Sequence, residues 1–121
     1  MAKLSQIQQT FSKDVLKLLQ HISDSGYDFT LGELFRTPEQ AAINEIQGTG
    51  IANSLHCKRL AIDINLFKDG VYLQDTNDFE QFESFWKSLN QHNRWGGRFT
   101  DRHGNPKPDG NHFERNEAPD A

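Results

Sequence analysis

Apolar residues recur every three or four positions near the start of the chain: Leu4, Ile7, Phe11, Val15, Leu18, Leu19 and Ile22. That spacing winds them into one stripe of an α-helix over about 3–23, which the polar SDSG ends at Gly26. Residues 27–35, YDFTLGELF, change to strand-forming composition and predict a strand running into a turn. Thr37-Pro38-Glu39 then reads as a helix start. Thr37 is the N-cap and Pro38 the first residue of a short helix over about 38–47. GTGIANS, 48–54, is a loop of small and polar residues. LAIDINL, 60–66, alternates as a strand does, with Ile62 and Ile64 on one side and Ala61, Asp63 and Asn65 on the other. Lys68-Asp69-Gly70 marks a turn, and VYLQ, 71–74, is its hairpin partner. Phe79, Phe82, Phe85, Trp86 and Leu89 give a second amphipathic helix over 77–91, with the aromatics as core. RWGGRF, 94–99, predicts a strand entered through glycines, and 101–111 a loop dense in Gly, Pro, Asn and Asp. HFE, 112–114, begins a last short strand, and a polar, frayed tail runs from Arg115. This order predicts an α+β domain, a mostly antiparallel sheet with flanking helices.

Composition narrows the class. A chain of 121 residues, 35% apolar and 25% charged, fits one soluble domain with a modest core. No run of about 18 apolar residues offers a membrane span, and the N-terminus has no signal-peptide pattern, so synthesis in the cytoplasm is expected. The net charge of −4, with acidic residues interleaved throughout, argues against nucleic acid as a partner. One cysteine, Cys57, excludes an internal disulfide. A monomer is expected.

The candidate chemistry lies in two segments, SLHCKRLAID at 54–63 and DGNHFE at 109–114. His56, Asp63 and His112 are a donor set that suits one zinc ion and leaves a coordination position open for a water. His56 and Asp63 are seven residues apart, an odd number, so a single strand would point them to opposite faces. They converge only if His56 lies on the turn before the strand. Ala61, two before Asp63, would leave room for the ion, and His112 must arrive from a neighbouring strand. Asp109, three residues before His112, is placed to manage the proton of that water as general base. Arg36 is the candidate cation for the oxyanion, and Ser54 is a candidate to orient an imidazole. Each feature has a plainer reading. H-x6-D occurs by chance, P-D-G-N is a turn signal in its own right, and Arg36 could be a surface ion pair. Cys57 reads as a small buried hydrophobe rather than a ligand. Glu114 shares a strand face with His112 and is a candidate partner for it.

Taken together, S-x-H-x6-D with Ala two before the Asp, followed late by D-x-x-H, resembles the zinc D-Ala-D-Ala peptidases of the M15 group. These include the VanX/VanY-type enzymes and the phage L-alanyl-D-glutamate endopeptidases. The resemblance runs from about Phe29 to Glu114 and takes in FRTPEQ at 35–40, SLHCKRLAIDIN at 54–65, RWGGRF at 94–99 and DGNHFE at 109–114. It implies a Hedgehog/D-Ala-D-Ala peptidase-like fold with zinc on His56, Asp63 and His112, Asp109 as base, and Arg36 at the substrate or transition state. It also implies a single metallopeptidase domain over 1–121, with an N-terminal helix (1–25), a catalytic core (27–114) and a polar tail (115–121).

The implied activity is hydrolysis of peptidoglycan stem peptides. An L-Ala-D-Glu endopeptidase is favoured over a D,D-carboxypeptidase or dipeptidase, because the short chain is similar to single-domain phage endolysins. Arg36, Lys58, Arg59 and Arg98 would orient the carboxylates of such a substrate. Two points qualify the match. Many members have Gly where Arg59 stands, so the turn after His56 is built differently or Arg59 bears strain. A non-catalytic zinc module on the same fold, as in the Hedgehog domains, is the second reading; a closed four-ligand site completed by Cys57 or His103 would favour it.

Overall fold

The computed structural model describes residues 2–48 and 54–120. Helix α1 (Leu4–Asp24) buries Ile7, Phe11, Leu18 and Ile22, the stripe its periodicity prescribes. It lies against a five-stranded sheet of β1 (Asp28–Leu31), β2 (Ala61–Lys68), β3 (Val71–Leu73), β4 (Asn93–Trp95) and β5 (His112–Arg115). Every strand pairing is antiparallel, in the order β1-β2-β5-β4, with β3 also on β2. The expected α+β architecture is therefore the observed one.

Long β2 is the spine. Its second half pairs with β1 and β3, and its first half with β5. Ile62, Ile64 and Leu66 enter the core, where they meet Phe113, Trp95, Trp86, Phe79 and Phe82. Each such side chain contributes about 1.5–3 kcal/mol by leaving water. Helix α2 (Pro38–Ile46) begins as expected: Thr37 Oγ1 accepts from Gln40 N at 3.1 Å, and Pro38 opens the helix. Of the expected loop 48–54, residues 49–53 lie outside the described residues. Among those described, no helix is long and apolar enough to cross a membrane.

Three expectations change. The single helix over 77–91 is broken into α3 (Thr76–Phe79), a 3-10 turn (Glu80–Phe82) and α4 (Glu83–Leu89). The tighter turn keeps Phe79 and Phe82, three apart, on one buried face. RWGGRF is not one strand, because β4 ends at Trp95 and a 3-10 turn follows over Gly96–Arg98. The glycines are needed there: a Cβ on Gly96 would lie 2.2 Å from Asp109 O, and one on Gly97 2.2 Å from the Trp95 ring.

Arg115 is not the start of a frayed polar tail. It is the last residue of β5 and fully buried. Its guanidinium pairs with Asp14 of α1 and donates to Asn93 Oδ1 (2.6 Å) and Thr10 Oγ1 (2.9 Å). Asn93 Nδ2 in turn donates to Asp14 (3.1 Å) and to Trp86 O (3.0 Å). The charge is compatible with burial because nearly every donor has a partner. Periodicity could not reveal this, since Asp14 sits on the apolar stripe of α1 and a lone arginine after HFE carries no pattern.

Replacing Arg115 with Ala strands the Asp14 carboxylate in the interior. Urea unfolding of Arg115→Ala should show a loss of about 3–5 kcal/mol; a loss below about 1 kcal/mol would show the network to be incidental.

Candidate metal centre

Three separate elements carry the three donors. Ser54 caps a 3-10 turn, Leu55–Lys58, its hydroxyl accepting from His56 N at 3.2 Å, so His56 sits on a turn just before β2. Arg59 closes that turn in the left-handed region, φ 55° and ψ 39°. A non-glycine residue there costs roughly 1 kcal/mol, and the Arg59 guanidinium stacks on the Phe35 ring at 4.1 Å. The position where a glycine was expected thus keeps a glycine-like backbone, with a cation–π contact as partial compensation. Asp63 follows on β2, and the β2–β5 register sets it directly opposite His112. Ala61, expected to leave room for an ion, stands opposite Glu114 in the same ladder.

The side chains converge. His56 Nε2 lies 3.4 Å, and His112 Nδ1 3.2 Å, from Asp63 Oδ1. One ligand atom from each of the three residues falls within 4.8 Å of the others, so the group could hold one metal ion. The outer nitrogens are fixed as well. His56 Nδ1 is 3.0 Å from Leu34 O, which as an acceptor requires the proton on Nδ1 and leaves Nε2 free to ligate. His112 Nε2 is 2.7 Å from Glu114 Oε1, which likewise leaves Nδ1 to face Asp63. Arg94 holds the other Glu114 oxygen, its Nε at 2.8 Å. The inner nitrogens of both imidazoles and the carboxylate therefore face one point, and loss of the His112 Nδ1 proton would complete the donor set that a metal of zinc's kind requires.

Glu114 thus orients an imidazole, the part the sequence also suggests for Ser54. Ser54 acts instead on the backbone of the His56 turn. Sequence reasoning missed Glu33. Its carboxylate pairs with Arg36 and lies 3.7 Å from His56 Nδ1; an i,i+3 acid–base pair just ahead of the TP helix start was the available signal. Arg36 is mostly buried and its Nε has no partner among the described residues. Cys57 is partly exposed and is not among the converging donors.

The charges of the metal-free site are strongly coupled. Burial alone would raise Asp63, but hydrogen bonds from His112 and His56 outweigh it and hold the carboxyl at about 2. Burial disfavours the His112 cation, yet Asp63 and Glu114 accept from it and lift it to about 9. Asp109 moves the other way. Partial burial raises it, opposed by the nearby His112 charge and reinforced by Asp63. Its Oδ2 lies 3.9 Å from His112 Nδ1, and its side chain remains 54% exposed to the cleft.

That cleft has a volume of about 1080 Å³ and is bordered by Arg36, His56, Asp63, Asp109 and His112. Lys58 and His103 line it too, but the two other cations expected there do not. Arg59 lies over Phe35, and Arg98 is paired with Glu80 and Glu83.

Residues 47–115, more than half the chain, match the family model described as D-alanyl-D-alanine carboxypeptidase, of the M15 peptidases. The chain belongs to the M15 peptidase family. Solved structures carry the same fold. The Serratia marcescens L-Ala D-Glu endopeptidase ChiX superposes on this M15 domain with a TM-score of 0.65 at 17% identity, over 94% of this chain and 86% of that one. The vancomycin-resistance D,D-pentapeptidase VanY of a VanB-type cassette, in complex with Zn(II), gives 0.58 at 16% identity, over 88% and 71%. VanYB in complex with D-Alanine-D-Alanine gives 0.58 over 88% and 70%. At these identities the structural likeness establishes the fold. No curated protein sequence matches the M15 chain.

The coupled charges set a pH signature. The raised His112 pKa stabilises the metal-free fold fully below its ordinary 6.5, and the gain is lost as pH rises through about 9. The lowered Asp63 pKa stabilises it above 3.8, and that gain is lost as pH falls through about 2. Metal-free protein should therefore show its highest Tm between those limits and an alkaline decline that His112→Ala removes. Because a metal must displace the His112 proton, its apparent affinity should rise by up to about tenfold per pH unit between about pH 6 and 8. Calorimetry in two buffers of different ionisation enthalpy would show the released proton.

Proposed function

We propose that this M15 domain is a zinc-dependent peptidase that hydrolyses peptidoglycan stem peptides at the L-Ala–D-Glu bond. The observation that carries the reading is the convergence of His56, Asp63 and His112 beside Asp109 in an open cleft. His56 through Nε2, Asp63 through its carboxylate and His112 through Nδ1 would hold the ion. Zinc at this position supplies a Lewis acid that polarises the scissile carbonyl and acidifies a water.

The protein's own groups do the rest. Asp109 accepts a proton from the attacking water and delivers it to the leaving amine. Its raised pKa brings it nearer to a group that can both take and return a proton. Arg36, which lines the cleft, offers positive charge to the developing oxyanion. Glu33 holds the guanidinium from the other side. Glu114 and Leu34 O keep the imidazoles turned inward.

ChiX, named an L-Ala D-Glu endopeptidase, shares more of its length with this chain than VanY does. That supports the endopeptidase reading. The family model's own description favours D,D-carboxypeptidase activity as the second reading. A purely structural metal module is less well supported, because the described donors number three and an acid stands beside the open side.

Purified cell wall incubated with zinc-loaded protein should release new N-terminal D-Glu; release of free D-Ala instead would establish the second reading. Asp109→Asn should keep its zinc and lose about 100-fold or more of the activity. Glu114→Gln should weaken zinc binding about 10- to 100-fold, read by competition with a chromogenic chelator. Wild-type rates in Asp109→Asn would remove that residue from the mechanism.

A further inference from the structure

Five cations line the cleft: Arg36, Lys58, Arg94, Arg102 and Lys107. Two of them are committed, Arg36 to Glu33 and Arg94 to Glu114. Among the described residues, no carboxylate forms an ion pair with Lys58, Arg102 or Lys107. Asp101 lines the same cleft, its Oδ1 accepting from His103 N (2.8 Å) and Asn105 N (3.0 Å), and its charge partly offsets that of Lys107. In a chain whose net charge is −4, five cations thus share one concave surface with Asp63, Asp101, Asp109 and Glu114, and there Lys58 and Arg102 have no carboxylate partner among the described residues.

Arg102 and Lys107 belong to one built loop rather than to a loose tip. Thr100 and Pro106 form a β-bridge, Asp101 N donates to Asn105 O (2.9 Å), and Gly104 N donates to Asp101 O (3.0 Å). Gly104 takes φ +81°, as the tight turn requires. Lys107 N then donates to Phe99 O at 2.9 Å, and Asp109 N to Gly96 O at 2.8 Å. The cationic loop therefore runs straight into the proposed base, with Lys107 two residues before Asp109.

We propose that the 99–108 loop is a carboxylate-recognition arm, and that the enzyme selects stem peptides whose D-Glu keeps a free α-carboxylate over those in which it is amidated. The inference rests on the L-Ala–D-Glu reading above. In that substrate the α-carboxylate sits on the carbon that bears the leaving amine, next to the scissile bond. Lys107 borders the same cleft as Asp109 and meets that group, whereas a carboxylate at the far end of the stem would lie several residues away. Exposed pairs of this kind are individually weak, so the arm acts by summing Lys107 and Arg102 with Lys58 of the same cleft. An amide presents no charge to any of them.

The test uses two synthetic peptides, L-Ala-γ-D-Glu-L-Lys and its α-amide L-Ala-γ-D-isoglutamine-L-Lys, with the full zinc-loaded chain. The free acid should be preferred about tenfold in kcat/KM, mostly through KM, and the preference should shrink at about 0.5 M salt. Arg102→Gln with Lys107→Gln should bring the acid-to-amide ratio close to one. Equal use of both peptides by the wild type, or an unchanged ratio in the double variant, overturns the proposal. Binding of the two peptides to zinc-loaded Asp109→Asn protein, by calorimetry, separates the arm from the assigned bond. Tighter binding of the acid with no cleavage of either peptide by the wild type keeps the arm and refutes the bond. Equal binding refutes the arm.

Discussion

Asp63 and His112 face each other across one rung of the β2–β5 ladder, and the rest of the site is arranged around that rung. A slip of one residue would send every side chain of β5 to the opposite face of the sheet. His112 would enter the core and Phe113 would enter the cleft. The register is therefore held from both sides. Phe113 is buried between Ile62 of β2 and Trp95 of β4, each its direct cross-strand partner. At the end of the strand, Arg115 is tied to Asp14 and Thr10 on α1. The N-terminal helix and the buried arginine thus serve the site without touching it.

Close backbone approach is the second constraint. The turn over Gly96–Arg98 lets Gly96 O receive Asp109 N, and Asp109 O then receives His112 N at 3.1 Å. These contacts seat the proposed base and the last histidine as one unit. They leave no space for a side chain on Gly96. The same segment feeds the hairpin loop that carries Arg102 and Lys107, so base and cationic arm share one support.

Electrostatically, the centre turns on His112 and the two carboxylates that flank it. Asp63 and Glu114 stabilise a doubly protonated His112 in a partly desolvated place, and the two hydrogen bonds that raise its pKa also aim its ring. Glu114 is itself held by Arg94. The chain of contacts from Arg94 to Glu114 to His112 to Asp63 fixes the direction of the ring before any ligand arrives, which lowers the cost of assembling the site.

Much of this was legible in the chain. Periodicity gave α1, and alternation gave β2 with Asp63 on the face away from Ile62 and Ile64. The capping pair Thr37-Pro38 gave the start of α2. The odd spacing of His56 and Asp63 required a turn between them, and the 3-10 turn supplies it. Those features are local, and local steric and hydrophobic rules specify them. Other features arise from pairing between distant segments, and no local pattern records them. The Asp63–His112 rung, Glu114 behind His112, Glu33 beside Arg36 and the burial of Arg115 each join residues through the folded backbone. The same holds for the cations: Arg59 and Arg98 looked available from composition, yet the fold commits them to Phe35 and to Glu80 and Glu83, and leaves Arg102 and Lys107 on the cleft. The sequence by itself determined which donors were present and which elements carried them. Only the tertiary structure decided which of those groups meet, because charge pairing depends on distances that the register and the turns set.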